Sequence, residues 1–165
     1  MKKSIFTLTA IKKQLDKQPL NYASYGEKIA CWNKRGTFVI LVNESLFNAE
    51  IQNTIPTIKT ELPACIPKTF EAFKNNESTI LSHTFLTMEL NNVNAYLFQN
   101  IKHKYITPIK INLLSIINDI TCFTPYQIKA NSGVLFVNED ISVLIFPIYN
   151  KYIADKLINI TDYLK

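Results

Sequence analysis

An offset of 105 residues aligns the first and last thirds of this 165-residue chain almost without gaps. The alignment places apolar residues on apolar residues at Leu8 and Leu113, Ile11 and Ile116, Leu15 and Ile120, Phe38 and Val143, and Ile40 and Ile145. Each third has the order strand, short helix, strand meander. That shared order is the main support for the repeat, because apolar matches are easy to find in a chain with 23 isoleucines. The offset predicts βαββ-like units at 4–43 and 107–148, with a looser third unit at 65–99.

The helix signals lie at four places. Residues 8–17 carry Leu8, Ile11 and Leu15 on one face, with Thr7 as a candidate N-cap and Pro19 as the stop. Shorter helices are predicted at 69–75 and 112–120, the second with little polar face and therefore buried. Residues 150–164 have the apolar spacing of a closing amphipathic helix.

The strand signals form hairpins and one meander. Residues 27–33 and 37–43 flank Lys34-Arg35-Gly36, and residues 84–90 and 93–99 flank Asn91-Asn92, where asparagine tolerates a left-handed backbone. The last third predicts three strands at 126–130, 134–138 and 141–148. Prolines punctuate residues 44–62, which are predicted as mostly loop.

Together these elements predict an α+β fold with antiparallel sheets backed by short helices. The hydrophobic fraction of 47% supports a folded core, and no Gly-, Ser- or Pro-rich linker divides the chain, so we expect residues 1–165 to form one compact domain. Unpaired edge strands in such sheets tend to find partners, and we expect a homo-oligomer.

Positive charge is concentrated at the start of the chain. Residues 1–35 hold eight basic and two acidic residues, a net charge of +6, whereas the remaining 130 residues have a net charge of −1. Such asymmetry is typical of a nucleic-acid or acidic-partner surface. A solvated lysine-rich surface with no partner is the alternative.

The candidate DNA-binding residues fall into two basic clusters. Lys12, Lys13 and Lys17 lie on the polar side of the predicted helix 8–17, and Lys34 and Arg35 lie in the neighbouring hairpin turn. Ammonium and guanidinium groups on a fixed scaffold can follow a phosphate backbone without base contacts. The second cluster comprises Lys102 and Lys104, beside an aromatic residue at 105 that could stack on a base.

The three cysteines, Cys31, Cys65 and Cys122, have no CxxC spacing and lie among apolar neighbours. They predict buried free thiols rather than a disulfide framework or a zinc site. A reducing, cytoplasmic location follows from this interpretation. No apolar run approaches the length of a membrane span, so no membrane association is expected.

No pattern for catalysis or cofactor binding was found: the chain has only three glycines and lacks GxGxxG, GxxxxGK[ST], HExxH and GxSxG. His83 is predicted to be structural and His103 to lie in a solvated loop. Glu139 and Asp140 are predicted in a solvated turn, and Trp32 in the core, although its position beside Lys34 would also suit stacking. We therefore expect a non-enzymatic protein with no cofactor and no metal.

Three segments resemble parts of the DNA sliding clamps that act as processivity factors. The strand-to-helix entry of a clamp half-domain resembles Ile66-Pro67-Lys68-Thr69-Phe70-Glu71-Ala72-Phe73. Residues 30–42 are similar to a clamp hairpin. Residues 131–148, which end in Phe146-Pro147-Ile148, are similar to the end of a clamp domain. The resemblance implies that helices present cations to DNA, which helix 8–17 fits well and helix 69–75 fits weakly through Lys68 and Lys74. Helix 112–120 departs from that pattern because it has almost no polar face. The chain also has three predicted units, whereas clamp domains are normally built from two.

These observations predict a DNA-associated binding protein that is clamp-like or accessory to replication. The main alternative is a protein–protein interaction module, or an inhibitor of viral or mobile-element origin, that does not bind DNA. A small hydrolase or nuclease is a third and less favoured class. Salt-dependent DNA binding distinguishes the first two classes, because phosphate contacts weaken steeply with salt.

Overall fold

The computed structural model describes residues 3–148 of the chain. The predicted helix 150–164 lies outside the described residues. The helical elements are α1 (Leu8–Lys13), α2 (Glu44–Leu46) continuing into a π-helix (Phe47–Gln52), α3 (Cys65–Asn75), α4 (Ile111–Leu114) and a 3₁₀ turn (Ile120–Cys122). The strands are β1 (Leu20–Tyr25), β2 (Lys28–Trp32), β3 (Phe38–Asn43), β4 (Thr57–Lys59), β5 (Thr79–Ile80), β6 (Ser82–Leu90), β7 (Val93–Asn100), β8 (Tyr105–Lys110), β9 (Thr124–Gln127), β10 (Val134–Asn138) and β11 (Ile141–Ile145).

Eight strands form one large sheet in the order β4-β1-β2-β3-β11-β10-β9-β5, and β6-β7-β8 form a second sheet. The α+β class is therefore confirmed. The large sheet is mixed rather than purely antiparallel, because β4 returns through the α2 and π-helix segment and pairs parallel with β1. The small sheet is antiparallel throughout.

The first and last thirds of the chain meet at the centre of the large sheet. Strand β3 pairs with β11 in an antiparallel register that sets Val39 opposite Leu144. On either side of this pair the strand order is β3-β2-β1 and β11-β10-β9. Two three-stranded meanders, one from each end of the described chain, therefore lie side by side. Residues 65–99 are arranged differently, since α3 is followed by strands that enter both sheets.

The two faces of the large sheet carry different layers. One face packs against α1, α4, the π-helix and the small sheet, through Ile11, Leu113, Ile51 and Phe98 among other buried residues. Among residues 3–148, the layer on the opposite face is formed mainly by α3, through Ile66 and Phe70. Helices α1 and α4 thus lie on the same face of the sheet. Leu113 and Leu114 are buried, as expected for the helix predicted at 112–120.

Both of these helices are shorter than predicted. Helix α1 ends at Lys13 rather than residue 17, because Asp16 and Lys17 have φ of 49° and 63° and form a turn. Thr7 occupies the N-cap position, but its side chain makes no capping hydrogen bond. Helix α4 covers only Ile111–Leu114, after which the backbone forms an isolated bridge from Ile117 to Phe6. Long-range pairing has replaced the helical turns that local periodicity predicted.

The prediction of loop for residues 44–62 is wrong. Asn43 accepts a hydrogen bond from the Leu46 amide through Oδ1 (2.8 Å) and so begins α2, which the π-helix continues. Phe47 and Ile51 of the π-helix are buried in the core, so tertiary packing outweighs the weak local signal. The predicted helix 69–75 begins earlier, at Cys65, because Pro67 fits within a first helical turn whose amides need no intrahelical partner.

The predicted hairpins are confirmed with shifts of a few residues at their ends. Asn91 and Asn92 both have positive φ, 50° and 63°, at the β6–β7 turn. One irregularity within β6 is not visible in the sequence: the pairing with β7 shifts register between His83 and Thr87. At this bulge Phe85 has φ of 57° and is 73% exposed.

The cysteines are only partly as predicted. Cys31 is a buried free thiol on β2, and burial raises its pKa to about 12. Cys65 and Cys122 are free but exposed, contrary to the prediction. Cys65 begins α3 and Cys122 ends the 3₁₀ turn, and both residues lie on the solvent-exposed side of these elements although their neighbours in the chain are apolar.

Candidate nucleic-acid interface

The first part of the candidate interface is the exposed side of α1 and the turn that follows it. Ile11 and Leu15 are buried and fix this segment on the sheet, whereas Lys12, Lys13 and Lys17 are exposed. Lys12 and Lys13 occupy the last turn of α1, where cations are favourable beside the free carbonyl groups. Lys17 lies in the turn after α1 rather than in the helix, so the three amines do not lie on one face of a single helix.

The second part is the β2–β3 turn, which a buried asparagine joins to the first. The Asn33 side chain is 1% exposed. Its Nδ2 donates to the carbonyl oxygen of Gln14 (3.1 Å) and to Thr37 Oγ1 (2.8 Å), and its Oδ1 accepts from the Thr37 amide (3.0 Å). One side chain therefore closes the turn and ties it to the segment after α1.

Lys34 and Arg35 lie at the exposed tip of this turn. Together with Gln14, Leu15, Asp16 and Gln18 they line a depression of about 440 Å³. We call the surface formed by Lys12, Lys13, Lys17, Lys34, Arg35 and Asp16 the basic corner. It carries five cations and one carboxylate, a net charge of +4.

Asp16 is paired within the basic corner. Its Oδ2 lies 2.7 Å from Arg35 Nη2, and both side chains are more than half exposed. A solvent-exposed pair of this kind contributes about 0–1 kcal/mol to stability. Its main effect is to orient the guanidinium beside the turn after α1 and to reduce the local positive charge.

Lys102 and Lys104 form a separate cluster in the β7–β8 turn. Lys102 Nζ donates to Glu77 Oε1 (2.8 Å), and this pairing lowers the pKa of Glu77. The other end of β8 leads to Asn112, whose carbonyl accepts from Gln14 Nε2 (3.3 Å). The six residues of β8, a strand about 17 Å long, therefore lie between this turn and the segment that contacts Gln14. The structure brings together five of the seven predicted DNA-binding residues and leaves these two apart.

The structure also places the other residues that the sequence analysis considered as candidate functional residues. Trp32 is buried on β2, in the layer under α3, and is not free to stack on a base. Glu139 and Asp140 occupy the exposed β10–β11 turn. His83 packs among Phe85, Tyr96 and Phe98, and partial burial lowers its pKa. His103 is exposed and stacks on Tyr105.

Sequence reasoning missed Asn33 and Gln14, which join the two parts of the basic corner. Asparagine before a Lys-Arg-Gly turn is a recognisable local signal, because its side chain often bonds to the backbone of its own turn. Its second bond, to Gln14 nineteen residues earlier, has no local signal.

Within residues 3–148, no group of three or more His, Cys, Asp or Glu side chains is placed to hold a metal ion. The helices described there are all too short or too polar to cross a membrane. No family model, curated protein or solved structure matches the chain.

Proposed function

We propose that this protein is a non-enzymatic DNA-associated protein that binds the phosphate backbone through the basic corner. The observation that carries the proposal is the Asn33 side chain, which fixes two cationic segments from different parts of the chain beside each other. A preformed cationic surface loses little conformational freedom on binding, so more of the electrostatic attraction appears as affinity.

The expected contact is sequence-neutral. Lysine and arginine side chains that neutralise phosphates release condensed counterions, and this release drives non-specific binding. The five cations of the basic corner lie on a helix end and two turns, and none of these elements presents a recognition helix long enough to read a groove. Backbone contact without base readout is the binding mode that this surface supports.

The more specific proposal is a role as a clamp-like or replication-accessory factor. It is supported by the two three-stranded meanders that meet at the sheet centre and by α1 and α4 on one face. The cations of α1 fit a DNA-facing helix, whereas α4 contributes buried leucines. If these units do act as a clamp, only the α1 side would contact DNA.

A protein-interaction role is the second candidate, favoured by the β6 bulge. Phe85 is 73% exposed and Leu86 is 43% exposed, on an edge strand of the small sheet. Aromatic side chains, Phe included, are enriched in protein interfaces, and large exposed apolar patches often mark interaction sites. A homo-oligomer formed through such an edge also stays a prediction.

Substitution of Lys12, Lys13 and Lys17 together by Glu tests the DNA proposal. Anisotropy of a fluorescein-labelled duplex of mixed sequence should show saturable binding by wild type at low salt and none by the triple variant. The matched control replaces Lys59, Lys68 and Lys129 by Glu, an equal charge change at exposed positions outside the basic corner. We expect the control variant to retain most of the wild-type affinity.

Circular dichroism and thermal unfolding of both triple variants establish that the fold is intact, as expected for exposed substitutions. Equal loss of affinity in both variants would assign binding to net charge alone. Equal binding by the Lys12, Lys13 and Lys17 variant and wild type would contradict the proposal and leave the protein-interaction role as the stronger candidate.

A further inference from the structure

A groove lies on the sheet face that α3 covers, remote from the basic corner. Its volume is about 680 Å³, within the roughly 300–1,000 Å³ range of small-molecule sites. The floor is a row of side chains across three neighbouring strands, because Leu41 pairs with Ser142 and Ser142 pairs with Val137. We call this space the α3 groove.

The roof of the α3 groove is the second half of helix α3. Phe70 is buried against the sheet, whereas Phe73 is half-buried and leaves its ring partly open to the groove. The ring centroids of Tyr25, from β1, and Phe70 lie 5.9 Å apart, and Tyr126, from β9, lines the groove on the same face of the sheet. One helix covers this face, so the space between its aromatic residues and the strand floor is not filled by any described side chain.

Charged side chains lie at the rim of the α3 groove. The charged residues that line the groove are Glu27, Lys28 and Lys74, a net charge of +1. Lys28 Nζ donates to the carbonyl oxygen of Asp140 (2.6 Å), which fixes the amine at one end. Lys74 is exposed in the last turn of α3, with Ser78 also lining the groove. A floor of Leu41, Val137 and one serine, an aromatic roof, and a rim with a net charge of +1 are complementary to an apolar molecule that carries one negative group.

We propose that the α3 groove binds a small amphipathic ligand with an apolar body and a single anionic head group. The body lies between Phe73 and the Leu41–Ser142–Val137 floor, and the head group pairs with Lys74. Lys28, which lines the groove, begins β2, and the β2–β3 turn of the basic corner follows the last residue of the same strand. The length of β2, about 14 Å, therefore lies between the two sites. The two sites are therefore separate and can be tested separately.

Two dyes with the same carbon skeleton test both parts of the proposal. The anionic probe is 1-anilinonaphthalene-8-sulfonate, and the neutral probe is N-phenyl-1-naphthylamine. We expect saturable binding of both to the folded protein, with one site, and tighter binding of the sulfonate. Lys74→Glu should weaken sulfonate binding about five- to tenfold and change the binding of the neutral probe less than about twofold.

Lys68→Glu is the matched control, since it makes the same charge change on the same helix at an exposed position that does not line the groove. It should leave both affinities within about twofold of wild type. Non-saturable fluorescence, or equal weakening by Lys68→Glu and Lys74→Glu, would overturn the proposal. Equal affinity of wild type for the two dyes would also overturn it, because the head-group contact would then contribute nothing. DNA anisotropy on Lys74→Glu should be unchanged, which separates a failure at the groove from a failure at the basic corner.

Discussion

Val39 and Leu144 lie opposite each other where β3 pairs with β11, and they are 105 residues apart in the chain. This is the same offset that aligns the first and last thirds of the sequence. Two units related by a two-fold rotation would place equivalent residues opposite each other at the axis, as these two are placed. The predicted repeat of units 4–43 and 107–148 requires such a pairing at the centre of the sheet, while the superposition of the two complete units stays a prediction.

The Val39–Leu144 contact predicts where the fold is most sensitive. Leu144 is 1% exposed and packs between the sheet and α3, so Leu144→Ala should lower the free energy of unfolding by about 2–5 kcal/mol. Val39→Ala should cost less, because it removes fewer carbon atoms from the core. Urea unfolding followed by circular dichroism measures both. Ile58→Ala, at a side chain that is 46% exposed, is the control and should cost much less than Leu144→Ala.

The Asn33 side chain is predicted to support both stability and binding. Asn33→Ala leaves the Gln14 carbonyl and the Thr37 amide without their partner, which should cost about 1–3 kcal/mol of unfolding free energy. It should also weaken DNA binding, although no charge is removed, because the two cationic segments lose their connection. Asn43→Ala is the matched control: it deletes the cap of α2 and costs about 1 kcal/mol. Unchanged DNA affinity in Asn33→Ala would show that the segments do not need to be held together.

The three thiols should differ in reactivity. At neutral pH the native protein should react with Ellman's reagent at Cys65 and Cys122, and at Cys31 only after unfolding. Quantifying released thiolate before and after addition of guanidinium chloride checks this. Rapid reaction of all three in the native state would show that β2 opens readily.

Cys31 also predicts a loss of stability at alkaline pH. Its pKa rises from 9.0 to about 12 on folding, so the unfolded chain releases the thiol proton at a lower pH than the native chain. The stabilisation of the protonated thiol is complete below about pH 9 and is lost as pH rises from there towards 12. Cys31→Ala should therefore lose less stability over this interval than wild type does. Chemical denaturation at several alkaline pH values compares the two slopes.

The bulge at Phe85 predicts a stabilising substitution. A phenylalanine with φ of 57° is strained, and most of its ring is exposed, so little packing is lost when it is removed. Phe85→Gly should raise the free energy of unfolding by about 1 kcal/mol. Leu86 directly follows Phe85 and has no positive φ, so Leu86→Gly should lower the free energy of unfolding instead. A loss of stability in Phe85→Gly as large as that in Leu86→Gly would show that the side chain contributes more than the strain costs.

Local signals in the sequence predicted the turns and strands well. Asn91-Asn92 tolerates the left-handed backbone of the β6–β7 turn, and the continuous apolar runs of β3 and β10 predicted strands within a residue or two. The amphipathic pattern around Ile11 and Leu15 correctly identified the buried side of the first helix and of the turn that follows it.

Long-range contacts decided what the sequence could not predict. The α1 helix stops before residue 17 because the following residues turn to meet Asn33, and the helix predicted at 112–120 is cut short by the bridge between Phe6 and Ile117. Likewise, the basic corner combines two predicted charge groups through Gln14, a residue with no charge and no motif. The surface position of Cys65 and Cys122 depends on where α3 and the 3₁₀ turn lie, which apolar neighbours in the chain do not reveal.

The salt dependence of DNA binding tests the role of the basic corner most directly. If its five cations each neutralise a phosphate, a plot of log K against log salt concentration should be linear with a slope of about −4.5 for duplex DNA. Replacing Lys12, Lys13 and Lys17 by Ala, which removes the three cations without adding carboxylates, should leave weaker binding and reduce the magnitude of the slope to about 2. Absence of binding by wild type at low salt, or equal slopes for wild type and the triple variant, would contradict the account.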